Sequence, residues 1–365
     1  MELVKINIKN FKGIGNVDFD LSKSPRNNVY TLVGINESGK TTILEAINSF
    51  EYNDEKDLAT SQIRLDEIIP IKKVTNFNES IVITSSLSVD EKDKEEIKEY
   101  LLRNHGYILG EYLDSTIEGT QTYRYKNSIH EESKFLWNIN INVKKKGARK
   151  FVCLWETDKD VWLKTTSFLE ARMPKILYFP TAFFNLPDRI CLSGTNDDIN
   201  DFFKSVVQDI LDSLDEGLTI ETHIIDRVKN SEKNPIQQLC LKMSRKINNV
   251  ILHEWQQVLN NTQYNIRVDI YSEANQIFLD FNVEGTDGIF KLSERSLGFR
   301  WFFVFLLLTQ FRGFRKNENR HIVFMFDEPA ANLSNKAQRQ LLSSLERISD
   351  KCTIIYTTFF VIQII

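Results

Sequence analysis

The stretch Gly34-Ile35-Asn36-Glu37-Ser38-Gly39-Lys40-Thr41 constrains this chain more than any other. It fits the pattern G-x-x-x-x-G-K-[ST] and lies where that pattern needs to lie, after the β-rich run Val29-Tyr30-Thr31-Leu32-Val33 and before a helical stretch with Leu44, Ile47 and Phe50 on one stripe. Glycines let backbone N–H groups curl around phosphate oxygens, and the start of a helix adds a favourable dipole. The Lys40 ammonium is suited to neutralising β- and γ-phosphate charge, and the Thr41 hydroxyl to ligating magnesium. The expected nucleotide contacts are Gly34, Asn36, Glu37, Ser38, Gly39, Lys40, Thr41 and Thr42, with ATP and Mg2+ as the ligands and Lys40 also serving catalysis.

A second segment complements the first. Ile322-Val323-Phe324-Met325-Phe326-Asp327-Glu328-Pro329 reads as an apolar strand that delivers adjacent carboxylates to its carboxyl end, the end at which ligands bind in parallel α/β sheets. Asp327 is expected to hold the magnesium shell, and Glu328 to polarise the water that attacks the γ-phosphate.

Bulk properties exclude several classes. The 365 residues, 42% hydrophobic, can bury one large core or two joined ones. A formal net charge of -4 leaves no global basic field, so any DNA contact has to be a local patch. Lys144, Lys145, Lys146, Arg149 and Lys150, placed by Gly147 at the bend between two strands, read as a solvated hairpin tip or as a phosphate-contacting one. Cys153, Cys191, Cys240 and Cys352 are scattered, which argues against zinc and against a disulfide framework and fits a reducing cytoplasm. The apolar run Trp301 to Leu308 is far shorter than a membrane span and reads as a buried helix, and the amino terminus has no basic-then-apolar leader.

Periodicity organises the remainder. Leu3 to Phe11 and Val17 to Leu21 form a hairpin turned by Gly13 and Gly15; Glu79 to Val89 is a strand; Asp90 to Asn104 is a charged amphipathic helix; Phe135 to Trp155 holds two strands. From Asp197 to about Asn260 the pattern is helical, with stripes through Ile199, Phe202, Phe203, Val206, Ile210, Leu211 and Leu214, and through Leu239, Met243, Ile247, Val250 and Ile251, joined near Asn234-Pro235. The last part alternates: a strand over Ile277 to Val283, a helix after Gly298, a strand to Phe326, a helix from Lys336 to Ile348 and a strand from Thr353 to Tyr356.

Asn10-Phe11-Lys12-Gly13-Ile14, the glycine loop, the turn Arg295-Ser296-Leu297-Gly298 and Phe326 to Ser334 together resemble ABC-type ATPases of the SMC/RecF/OLD group, and most of all the ATPase part of OLD proteins. The resemblance implies an α/β ATPase head: a P-loop core sheet, an antiparallel β subdomain and a helical insertion. It divides the chain into an N-terminal half-head (1–90), an inserted β and helical region (91–285) and a C-terminal half-head (286–365). It also implies that Ser296 and Gly298 bind the γ-phosphate held by an opposite subunit in a head-to-head homodimer, with Ala331-Asn332-Leu333-Ser334 as the D-loop at the dimer axis. Gln62 stands at the distance of the group's glutamine loop.

At Phe359 the group carries a switch histidine, and the Toprim nuclease domain of full OLD proteins does not follow, so the chain is expected to be a shortened form or to end in an inauthentic tail. Two functions follow from the resemblance: an ATP-driven dimerisation switch for a separate nuclease or toxin chain in anti-phage defence, or a RecF-like DNA-repair clamp. A hydrolysis-deficient scaffold is a further alternative, because Phe359 replaces the histidine. Transporter ATPases keep their glycine loop and signature turn much closer together, and no acceptor-site motif marks a kinase.

Overall fold

The computed structural model describes residues 1–22, 28–50, 64–110, 114–180, 186–194, 198–214, 216–252, 264–286, 288–312, 320–329, 331, 333–350 and 352–359. The chain folds into two compact units, Met1–Tyr178 with Asn319–Met325 and Lys351–Thr357, and Phe179–Glu318 with Phe326–Asp350 and Thr358–Ile365.

The first unit opens with β1 (Glu2–Phe11), β2 (Ile14–Asp20), β3 (Val29–Val33) and α1 (Lys40–Asn48). It continues with β4 (Ser80–Ser88), α2 (Glu91–His105), β5 (Tyr107–Leu109), β6 (Thr116–Lys126), β7 (Ile129–Asn138), β8 (Asn142–Lys145) and β9 (Val152–Cys153). The helices α3 (Leu154–Thr157) and α4 (Lys159–Glu170) and strand β10 (Lys175–Phe179) follow.

Five of these strands form an antiparallel sheet in the order β2-β1-β4-β6-β7. Strict alternation in β4 sends Ile81, Ile83 and Leu87 inward, where they join Ile6, Ile8, Phe11, Leu44, Ile47 and Phe50 in one core. Gly119 on β6 has to be glycine, because a Cβ there would lie 2.6 Å from the Phe135 ring and 3.4 Å from that of Phe50.

The amino-terminal hairpin is present, but its turn differs from the one the glycines predicted. The left-handed positions are Asn10 (φ 59°) and Lys12 (φ 48°), while Gly13 and Gly15 keep ordinary φ and Gly15 lies within β2. The region read as two strands over Phe135 to Trp155 holds the end of β7, then the antiparallel pair β8 and β9, and turns helical at Leu154. Gly147, at φ 91°, sits in the connection between β8 and β9 as expected.

The second unit contributes β11 (Ile190–Cys191), α5 (Asp198–Asp212), α6 (Asp226–Lys229), α7 (Lys233–Ile247), β12 (Asn265–Glu273), β13 (Gln276–Gly285), β14 (Gly288–Lys291) and α8 (Leu297–Arg312). Asn234-Pro235 lies in the first turn of α7, where proline's missing N–H costs nothing, and not between two long helices. One-turn segments at Glu221–Ile225 and α6 carry the chain from α5 to α7. The apolar run at 301–308 is the buried centre of α8. It packs by aromatic edges, with Phe303 against Phe281 at 5.6 Å and Phe305 against Phe326 at 5.2 Å.

At the edge of the β11-β13-β12 sheet, α7 supplies side chains where a further strand would supply backbone. Asn248, just past the helix end, exchanges hydrogen bonds with Ile266 (2.9 and 2.7 Å), and Ser244 Oγ accepts from Val268 N–H at 2.9 Å. One turn further back, Ile270 N–H bonds to Cys240, whose buried thiol is pushed up to about 11. Four helical residues advance about 6 Å and two strand residues about 6.6 Å, so the two ladders stay in step. Asn248→Ala is expected to lower the unfolding free energy by about 1–3 kcal/mol by leaving both groups of Ile266 unpaired. Urea denaturation checks this against Gln237→Ala on an exposed position of the same helix.

The chain closes with β15 (Ile322–Phe326), α9 (Asn335–Ile348) and β16 (Cys352–Thr358). A four-stranded sheet runs in the order β10-β15-β16-β3. Lys175 N–H donates to His321 O at 2.7 Å and Asp327 N–H to Phe179 O at 3.2 Å, so β10 and β15 step in the same direction. All of β10, β15 and β16 is buried, as befits near-continuous apolar strands covered on both faces. The architecture is α/β, with a core sheet, an antiparallel β subdomain and a helical insertion, as the sequence predicted.

Candidate functional site

In the first unit the glycine loop connects β3 to α1. Glu37 (φ 64°) and Gly39 (φ 91°) are left-handed and flank a Ser38 that is not, whose N–H closes a turn on Ile35 O at 3.3 Å. A Cβ on Gly34 would lie 2.5 Å from Ser38 Oγ, so a side chain there would force the Ser38 hydroxyl to move. Gly39 is the N-cap of α1 and makes no side-chain cap, and the first turn has no acid to repel an anion. Lys40 is buried, and its ammonium donates to the carbonyls of Gly34 (2.8 Å) and Ile35 (3.1 Å), which folds it back along the loop. Asn36, Glu37, Ser38 and Thr41 are exposed, while Thr42 is half-buried.

Two contacts that the sequence does not show hold this loop's helix. Lys12, in the β1–β2 turn, pairs with Glu45 of α1 at 2.8 Å. The Tyr123 hydroxyl, its pKa pushed up to about 12 by burial, donates to Ser49 O at the end of α1 and satisfies a terminal carbonyl.

The remaining predicted residues belong to the second unit. Asp327 and Glu328 leave the end of β15 half-buried. Glu328 is held at φ 50°, a strained conformation for a residue with a Cβ, and its carboxylate accepts from Phe359 N–H at 3.2 Å. Ser296 is exposed and caps α8 by accepting from Phe299 N–H at 3.3 Å, and Gly298 lies in that helix's first turn.

Arg295, which the sequence reading did not single out, is clamped by aromatic rings, with its guanidinium 4.5 Å from the centre of Tyr264 and 4.6 Å from that of Phe290. The signature turn is thereby fixed on one side by stacking. Gln62 and Asn332 lie outside the described residues. No described helix is long and apolar enough to cross a membrane.

A family model described as the AAA ATPase domain matches residues 1–359. The chain belongs to that family. Its fold is that of SMC head domains. The chain aligns with the SMC head bound to the C-winged helix domain of ScpA at a TM-score of 0.53 and 13% identity, covering 99% of this chain and 90% of the other. It aligns with an Smc head domain with an extended coiled coil, bound to the C-terminal domain of ScpA and derived from Pyrococcus furiosus, at a TM-score of 0.52 and 12% identity, with the same coverage. No curated protein matches. The chain is thus an AAA ATPase domain in the fold of an SMC head.

The loop fits the triphosphate that this family implies. The loop packed around Gly34 and the helix start without a side-chain cap suit an anion, and the Lys40 ammonium lies along the same loop.

Proposed function

We propose that this ATPase is a nucleotide-driven dimerisation switch controlling a nucleic-acid-directed effector, in anti-phage defence in the cytoplasm. Its division of labour follows the segments 1–90, 91–285 and 286–365. In this reading Gly34 to Thr42 bind ATP, Thr41 and Asp327 hold Mg2+, and Glu328 orients the attacking water. Ser296 and Gly298 close on the γ-phosphate of a second copy. The reading rests on the Gly34 to Lys40 loop, which packs around Gly34 and leads into a helix start without a side-chain cap. The exposed serine at the start of α8 supports the second half, since its hydroxyl and the helix start face away from the core. A separate effector, nuclease or toxin, fits the precedent of the SMC head bound to ScpA, in which a head of this fold engages another polypeptide.

Light scattering on the Glu328→Gln variant with ATP and magnesium is expected to give a dimer, because binding persists while turnover stops. A chain that stays monomeric would sink the switch. The DNA-clamp alternative is favoured by the basic tip between β8 and β9. Phosphate release by the wild-type chain above that of Lys40→Ala would exclude the hydrolysis-deficient scaffold.

A further inference from the structure

The end of β8 and its connection to β9 carry Lys144, Lys145, Lys146, Arg149 and Lys150 in a chain whose net charge is -4. None of the five forms an ion pair among the described residues, whereas cations elsewhere in the unit are matched, as in Lys98 with Glu95, Lys164 with Asp160 and Arg172 with Glu96. Lys145, Lys146, Arg149 and Lys150 are exposed, Lys145 with its ammonium 5.6 Å from the centre of the Tyr107 ring. A folded chain gains solubility from dispersed charges of either sign, so unmatched like charges on one tip repel one another without structural return.

Two large exposed rings follow this tip in the chain, Phe151 beside it and Trp155 past the far end of β9, where Leu154 N–H donates to Ile141 O. Phe151 is 43% exposed and Trp155 is 46% exposed, although both are large enough to bury well over 100 Å2 in a core. Each has an ammonium at its ring: Lys144 Nζ lies 4.6 Å from the centre of Phe151, and Lys159 Nζ lies 5.0 Å from that of Trp155. Trp155 is braced edge-on against Trp162 at 4.8 Å, which fixes its orientation without covering it. The nearby acids are mostly engaged. Asp158 caps α4 and accepts from the Tyr107 hydroxyl, and Asp160 pairs with Lys164.

Unmatched cations beside exposed, braced rings are the chemistry of a groove for unpaired bases, in which ammonium groups follow the phosphates and the rings stack on the bases. A duplex offers phosphates but keeps its bases stacked inside. We propose that the β8–β9 tip, with Phe151 and Trp155, binds single-stranded nucleic acid without reading its sequence. This deepens the nucleic-acid part of the proposed function and rests on it, but it requires neither ATP nor dimerisation.

The test uses the full chain without nucleotide, a labelled oligothymidylate and a duplex of equal length, with anisotropy followed across a salt series. The single strand is expected to bind more tightly than the duplex, with a log–log salt slope of about -3.5 for five phosphate contacts. Lys144→Gln/Lys145→Gln/Lys146→Gln should flatten that slope by about 2. Trp155→Leu should weaken binding about tenfold, leave the slope unchanged and abolish part of the tryptophan quenching on binding. All of these positions are exposed or half-exposed, and circular dichroism of both variants confirms folding. An unchanged slope in the triple variant, duplex binding as tight as single-strand binding, or full affinity in Trp155→Leu would each overturn the proposal. ATP-dependent dimerisation of the Glu328→Gln chain is scored separately, so failure at the tip and failure of the switch are told apart.

Discussion

Lys40→Ala is expected to abolish the ATP-induced rise in thermal stability and to lower ATP turnover by about 10²–10³-fold, the usual consequence of removing one preorganised charge from a reacting phosphate. The wild-type chain at a hundredfold excess of nucleotide over its Kd should gain about 2.7 kcal/mol by mass action, and the variant should gain almost none of it. Without nucleotide the two proteins should unfold at similar urea concentrations. The lysine's present partners are carbonyls of a half-exposed Gly34 and an exposed Ile35, which water can take over. This contrast separates a ligand-directed lysine from a structural one. A large loss of nucleotide-free stability with an intact nucleotide shift would show that Lys40 holds the loop together and that the phosphate is bound by other groups.

The parts of the fold that were legible from sequence are those whose constraints are local. The glycine loop could be read because steric demand at Gly34, left-handed φ at Gly39 and the position of Lys40 all fall within one short stretch. The centre of α8 could be read because a helix apolar on every side has nowhere to go but the core. The β6–β7 hairpin escaped because its tight turn uses Asn127 (φ 50°) and Ser128 (φ 62°) with no glycine to announce it. Ala274 (φ 48°) and Asn275 (φ 61°) hid the β12–β13 turn in the same way.

β10 is short, lies between Pro174 and Pro180, and becomes recognisable as a core strand only beside β15. The pairing of Lys12 with Glu45 and the aromatic clamp on Arg295 join residues distant in sequence, and no local pattern encodes them. At Phe359 the side chain departs from the histidine of the group, and the structure places that residue's backbone amide on the Glu328 carboxylate. Every residue except proline carries that amide, so substitution at the position leaves it in place.

That contact leads to the second large effect. Glu328→Gln is expected to lower hydrolysis by about 10²–10⁴-fold, the range for removal of a general base, with ATP affinity retained. The carboxylate can serve as a base only if it is aimed, and its aim comes from the left-handed backbone at Glu328 and from the Phe359 N–H at 3.2 Å. A hydrogen bond to a charged group contributes about 1.5–3 kcal/mol, so Phe359→Pro, which deletes the donor, should reduce turnover about ten- to a hundredfold. Phe359→Ala keeps the donor and should stay within a few-fold of wild type. The extended backbone of Thr358, inside β16, is the conformation a following proline demands, so the substitution does not disturb the strand that precedes it. Equal losses in the proline and alanine variants would assign the effect to the exposed ring, and an unaffected proline variant would show that the Phe359 amide does not aim Glu328.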